Sequence, residues 1–270
     1  MAREIKRILI STMPRSSTVF FFDFIAELFE FSKLDPVLTG GFRPSPPEWD
    51  AYKFDKTYRS LGNGQVLCAH YHLSEELKKL IAQPDVLAIY LYRDPRDVAV
   101  SAALYIKNSL SHFFLHDLFS KLSDSDAITF MLSGGMSETV HERAGTNCDY
   151  ITHEGMKYHC DIALKWLAEP SVAKVRYEDF VLDQFSCLKA SFQEVGVEID
   201  GTRMREVAAK LNFSAYSGGR ERGEENVKSH FRKGIPGDYV NYFSELHKAI
   251  CKHRIGHHLI ELGYEKDLRW

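Results

Sequence analysis

Residues 11–22 read STMPRSSTVFFF and follow directly on the run Arg7-Ile8-Leu9-Ile10. The run has the length and apolar character of a buried strand, and the phenylalanine-rich stretch 18–31 has the length of a helix. Between them the turn offers Pro14, the Arg15 guanidinium and the hydroxyls of Ser16, Ser17 and Thr18. The first amides of a helix have no partners within it, and the helix dipole adds partial positive charge at that end. A helix that starts at Ser17 or Thr18 therefore offers an anion site, with Arg15 and three hydroxyls beside it. The same hydroxyls suit plain N-terminal capping, and the stretch alone leaves both readings open. It lacks the G-x-x-x-x-G-K-[ST] pattern, which speaks against Walker-type nucleotide chemistry.

Outward from this junction, strand-like runs at 7–11, 65–70, 86–92 and 172–177 alternate with helical patterns over 18–31, 74–82, 95–107, 152–168 and 183–195. Alternation of this kind predicts an α/β fold, a central parallel sheet flanked by helices on both faces. Right-handed crossovers then gather the strand C-terminal ends on one edge, where such sheets bind ligands. Two stretches interrupt the rhythm. The Pro- and Gly-rich segment 39–54 reads as a surface loop or lid, and 217–239 as a mobile loop or ligand clamp.

The 270 residues, 44% hydrophobic and 26% charged, suffice for one α/β domain spanning 1–270. A net charge of −3 argues against nucleic acid as a partner. Five cysteines without a C-x-x-C pair fit a reduced, cytoplasmic setting. The apolar stretch 19–31 is interrupted by Asp23, Glu27 and Glu30 and falls short of the ~20 residues of a membrane span, so no membrane partner is expected. Cys251, His253 and His257 in CKHRIGHH (251–258) are read as part of a solvated helix and not as a metal site.

A second stretch, YLYRDPRDVAVSAALY at 90–105, leaves a strand, puts Arg93 at its end and starts a helix at Pro95. Arg93 and Ser101, eight residues apart, are both candidates for one further phosphate. Asp94 reads as a helix cap, and Arg96 and Asp97 as surface charges.

With that second stretch the chain resembles the sulfotransferases that use 3′-phosphoadenosine-5′-phosphosulfate. STMPRSSTVF is similar to their 5′-phosphosulfate loop, T-x-P-K-S-G-T-T-W, with Arg15 for Lys, Ser17 for Gly, Val19 for Thr and Phe20 for Trp. YRDPRDVAVS resembles their 3′-phosphate segment, and VRYEDF (175–180) their strand ending in Tyr-Glu-Asp. FRKGIPGDYVNYF (231–243) resembles the signature R-K-G-x-x-G-D-W-x-N-x-F. The four matches stand in family order.

The resemblance implies a donor, 3′-phosphoadenosine-5′-phosphosulfate, that leaves as 3′,5′-adenosine bisphosphate, and it implies no metal. Arg15, Ser16, Ser17, Thr18 and Val19 would hold the 5′-phosphosulfate, with Arg15 stabilising charge on the leaving phosphate. Arg93, Ser101, Arg232, Lys233 and Gly234 would hold the 3′-phosphate. Phe20 and Phe213 correspond to adenine-stacking aromatics, although core packing is an equal reading, and Tyr177 corresponds to an adenine contact. VLCAHYHLSEEL (66–77) resembles V-K-T-H-L-P, which places the general base at His70, with His72 as the alternative. An imidazole suits that task because it titrates near working pH. Arg220 to Lys233, with five basic and three acidic residues, would be a flexible cover over the nucleotide.

The expected activity is sulfuryl transfer to a hydroxyl or amine of a small-molecule acceptor. The acceptor itself is not legible, because 39–58 and 108–155, where its pocket should lie, carry no match. Two other readings stay open: a nucleotide or small-molecule kinase with a degenerate phosphate loop, and a non-catalytic nucleotide-binding protein of the same fold. Oligomeric state is not legible either.

Overall fold

The computed structural model describes residues 3–34, 57–109, 115–135 and 155–270. The expected lid at 39–54, most of the acceptor-pocket segments and Cys148 lie outside them. The sheet strands are β1 (Arg7–Thr12), β2 (Ser32–Leu34), β3 (Gln65–Ala69), β4 (Val86–Tyr92) and β5 (Val172–Arg176). The helices are α1 (Thr18–Phe29), α2 (Glu75–Ile81), α3 (Pro95–Ser109), α4 (His116–Phe119), α5 (Asp124–Ser133) and α6 (Met156–Leu167). They continue with α7 (Tyr177–Leu182), α8 (Gln184–Glu194), α9 (Gly201–Lys210), α10 (Phe213–Ser217) and α11 (Glu245–Glu261).

The five strands form one sheet in the order β2-β3-β1-β4-β5, and every neighbouring pair is parallel. Ile8 lies opposite Val66 on one side and Leu87 on the other. Helices cover both faces, so Ile8, Leu9 and Ile10, Val66 and Leu67, and Leu87, Ala88 and Ile89 are all fully buried. That is why these strands read as unbroken apolar runs without alternation. The order runs from β1 out to β2 on one side and β5 on the other. The switch of direction thus falls at β1, where open sheets form their ligand crevice.

Within the described residues the chain divides into two compact units. The first comprises 3–34, 57–93 and 165–224 and contains the whole sheet. In it α1 packs on β3 and α9, and α8 packs on β5. The second comprises 94–109, 115–135, 155–164 and 225–270. There α3 packs on α4 and α5, and α5 packs on α11.

Expected and observed elements agree closely for β1, β3, β4 and β5 and for α1, α2, α3 and α8, whereas α9 was not expected and α11 only around 251–258. Strand 86–92 and the start of α3 at Pro95 fall where they were expected. Strand β3 ends at Ala69, one residue early, because the Tyr71 amide turns to the Ser11 hydroxyl, 3.1 Å away. Tyr177 opens helix α7 and does not end β5. The helix carrying Cys251 is solvated on one face only: Cys251 is buried while His253 and His257 are exposed, so the three do not share a face.

One buried contact fixes the chain just past β3. Trp166 is fully buried, its ring stacks on Tyr90 at 5.5 Å and 5°, and its indole N–H donates to the Tyr71 carbonyl at 2.8 Å. Replacing Trp166 by Phe keeps the stack but removes the shorter of two bonds to that carbonyl, the Ser11 hydroxyl at 3.4 Å remaining. Such a loss costs about 0.5–1.5 kcal/mol. Denaturant unfolding of Trp166→Phe should show a lower midpoint with an unchanged slope.

Candidate active site

Four groups of candidates in the first unit stand at strand ends. The turn 13–17 follows β1, His70 follows β3, Arg93 follows β4, and Tyr177 follows β5. In the turn, Arg15 and Ser17 both adopt left-handed backbone conformations, each with φ 62°. Ser17 is the N-cap of α1, yet its side chain makes no capping hydrogen bond. Plain capping therefore does not explain the hydroxyls of this turn. Ser16 is fully buried, and its Oγ is one of few buried polar side-chain atoms among the described residues without a hydrogen-bond partner. A buried hydroxyl, helix-start amides and a guanidinium together fit a bound phosphate or sulfate. Val19, where a second Thr would have added a hydroxyl, is 44% exposed.

His70 is tied to the same turn. Its Nδ1 lies 2.7 Å from the Thr12 carbonyl oxygen and 3.0 Å from Thr12 Oγ1. A carbonyl oxygen only accepts, so Nδ1 carries the hydrogen and the basic lone pair of the neutral ring lies on Nε2. Burial of the imidazole pushes its pKa below the usual value of 6.5, and the bond to the Thr12 carbonyl opposes that shift only partly. His70 is thereby kept neutral, the form a general base needs. Thr12 Oγ1 continues to Thr18 Oγ1 at 2.8 Å. Thr12 was not singled out in the sequence, although it holds the first position of the T-x-P pattern. That pattern was the only available signal for it.

Arg93, 7% exposed, donates from Nη1 to the Arg15 carbonyl at 2.9 Å, and its guanidinium lies 4.4 Å from the Tyr177 ring centre. It braces the left-handed turn as well as standing at the strand edge. Phe20 packs among Phe24, Phe180 and Tyr216, with the Tyr216 ring edge-on at 5.2 Å, so its core-packing role is real. Phe213, by contrast, lines a pocket of about 460 Å³ together with Asn212, Ser214, Leu182 and Arg222. The Arg220 and Arg222 guanidinium groups lie over the Phe213 ring at 5.7 and 5.5 Å.

The second unit holds the remaining candidates. Ser101 is 5% exposed on α3. Arg232 donates to Asp238 at 2.6 Å and also pairs with Glu225, while Lys233 reaches Asp238 at 2.7 Å. Burial would raise the Asp238 carboxyl, but hydrogen bonds from Lys233, Asn241 and Arg232 hold it below its usual range. Gly234 and Gly237 both have positive φ, 70° and 78°, which explains two glycines in that signature.

One expectation is overturned here. Arg96 and Asp97 are not surface charges: they are 2% and 1% exposed. Arg96 pairs with Asp94 at 2.7 Å and with Glu265, and lies 4.2 Å from the Tyr239 ring centre and 4.8 Å from that of Trp270. Asp97 accepts from the Gly237 amide at 2.7 Å and from the Tyr239 amide at 2.9 Å. These two residues fasten the glycine-containing signature loop to the start of α3. Asp94 does cap, accepting from the Arg96 amide at 2.9 Å.

The model of the sulfotransferase domain family matches residues 6–263. The chain belongs to the sulfotransferase family. Similar solved structures include a mouse sulfotransferase, SULT7A1, complexed with PAP, at TM-score 0.64 and 18% identity over 99% of this chain and 88% of that one. Retinol dehydratase in complex with androsterone and the inactive cofactor PAP aligns at TM-score 0.54 and 17% identity, covering 93% of this sulfotransferase and 80% of that chain. The same enzyme with retinol and PAP gives 0.53 and 18% over the same shares. No curated protein matches the sequence. At these identities the structures show that this sulfotransferase shares their fold.

Arg96→Ala would leave Asp94 and Glu265 without their cation in a buried setting. Breaking a buried ion pair from one side costs about 3–5 kcal/mol. Thermal and denaturant unfolding should show a loss of that size, where a surface arginine would change stability by under about 0.5 kcal/mol.

Proposed function

We propose that this sulfotransferase transfers a sulfuryl group from 3′-phosphoadenosine-5′-phosphosulfate to a hydroxyl, or an amine, of a small-molecule acceptor. The single observation that carries the reading is the turn after β1. It joins a fully buried, unpartnered Ser16 hydroxyl, a helix start without side-chain capping and a hydrogen-bond link to a base. Ser16, Ser17 and Thr18 bind the 5′-phosphosulfate, and Arg15 balances negative charge on the departing phosphate. Nε2 of His70 takes the proton of the acceptor. Arg93 serves the 3′-phosphate while bracing the turn, and Tyr177 and Phe213 serve the adenine. The roles of Ser101, Arg232, Lys233 and Gly234 toward the 3′-phosphate, of Phe20 toward the adenine and of Val19 in the loop rest on the sequence resemblance.

Retinol and androsterone, named with the structural neighbours, are small alcohols and support an acceptor of that class. The family model runs through both compact units, which supports reading 1–270 as one sulfotransferase domain. Free thiols at Cys68, Cys160, Cys187 and Cys251 support a reducing, cytoplasmic setting. Among the described residues no helix is long and apolar enough to cross a membrane.

The direct test supplies sulfur-labelled donor with a panel of small alcohols, phenols and amines, with and without EDTA. Label should enter an acceptor in both conditions. No transfer to any acceptor, together with no binding of 3′,5′-adenosine bisphosphate, contradicts the proposal.

His70→Ala should lower kcat by about 10²–10⁴-fold while leaving bisphosphate affinity nearly intact. The pH profile follows from the depressed pKa. The neutral base persists as pH falls past 6.5, so the acidic limb of kcat/KM should have its midpoint below 6.5. The same shift makes protonation favour the unfolded chain, so the His70 contribution to stability declines as pH falls below 6.5. A limb at or above 6.5 would assign the base to another group.

A further inference from the structure

Thr12 is the last residue of β1 and touches both His70 and the helix start. We propose that Thr12 is a positioning residue whose hydroxyl couples the donor-facing Thr18 to His70, so that a bound donor strengthens the base. The inference rests on the donor reading above.

The direction of each hydrogen bond is fixed by the carbonyl. An imidazole with its hydrogen on Nε2 would set the Nδ1 lone pair against the Thr12 carbonyl oxygen at 2.7 Å, two acceptors facing each other. Nδ1 therefore holds the hydrogen. The same N–H lies 3.0 Å from Thr12 Oγ1, which receives it as a second acceptor. The hydrogen of the Thr12 hydroxyl is then left for Thr18 Oγ1, 2.8 Å away. Thr18 accepts on that side, and its own hydrogen remains for an anion at the start of α1.

Three groups thus point one way: His70 to Thr12, Thr12 to Thr18, Thr18 to the anion. Hydrogen bonds in such a chain polarise one another. An anion that takes the Thr18 hydrogen makes Thr18 Oγ1 a better acceptor for Thr12. Thr12 Oγ1 in turn becomes a better acceptor for Nδ1–H, and electron density moves toward Nε2. The arrangement makes the base strongest when the donor is in place. Val at position 12 would keep the shape and the carbonyl but remove the link.

The experiment uses the full chain with ¹⁵N-labelled histidine, the His70 signals being assigned from their loss in His70→Ala. The probe is 3′,5′-adenosine bisphosphate, with binding followed in parallel by calorimetry. In the wild type and in Thr12→Ser the bisphosphate should shift the His70 Nε2 signal. In Thr12→Val it should still bind, but that shift should largely vanish. One hydrogen bond is worth about 1 kcal/mol, so kcat of Thr12→Val should fall about five- to tenfold at unchanged acceptor KM, and Thr12→Ser should recover it.

An undiminished shift in Thr12→Val, or a failure of Thr12→Ser to rescue, overturns the coupling. Should Thr12→Val not fold, Thr18→Val cuts the chain at its far end and must abolish the same shift. Binding to the wild type with no His70 response overturns the coupling alone. Absence of binding to the wild type removes the donor reading and this inference with it.

Discussion

A chain leaving the middle strand of a parallel sheet has only residues 13–17 in which to turn into a helix that packs back on that sheet. It manages this by holding Arg15 and Ser17 in the left-handed region, a conformation that costs a non-glycine residue roughly 1–2 kcal/mol. Something must hold such a turn. Arg93, arriving at the end of the neighbouring strand, donates to the Arg15 carbonyl and supplies part of that hold. Strain kept in place by a tertiary contact is what the proposed binding role of this turn requires.

From this constraint the remaining arrangement follows. Because β1 lies between β3 and β4, the residues that leave those two strands come in from either side, His70 to Thr12 at the end of β1 and Arg93 to Arg15 in the turn. The His70 imidazole meets Thr12 of the turn's own strand, and its surroundings keep it uncharged. Tyr71, next in sequence, is anchored by Ser11 at its amide, by Trp166 at its carbonyl and by Thr57 at its hydroxyl. His70 is therefore mounted on backbone fixed on both sides of Tyr71, which suits the positioning that its proposed role as base requires. In the second unit a comparable device holds the glycine-containing loop, with Asp97 accepting two amides and Arg96 packed between rings and carboxylates.

The sheet was legible because its strands are buried on both faces and so stand out as short apolar runs, and α3 because Pro95 marks its start. β2, three residues on the sheet edge, has no such pattern and was missed, as were the short helices α7 and α10 and the ten-residue α9. The turn and His70 were legible as motifs. The bond network around them was not, because Thr12 is 58 residues from His70 in sequence and Arg93 is 78 from Arg15. Arg96 and Asp97 were misread for the same reason. A charged pair after a Pro looks like an exposed first turn until Glu265, 169 residues on, and the amides of Gly237 and Tyr239 are brought to it. Phe20 shows the opposite limit: a matched motif position can also be a packed core ring.

The account stands most directly on where a phosphate settles. A crystal structure of the chain with 3′,5′-adenosine bisphosphate should show the 5′-phosphate on the backbone amides of 16–18 and the Ser16 hydroxyl, with His70 Nε2 facing the open side of that phosphate. A nucleotide bound away from the β1 turn, or a phosphate there with Ser16 still unengaged, would contradict it.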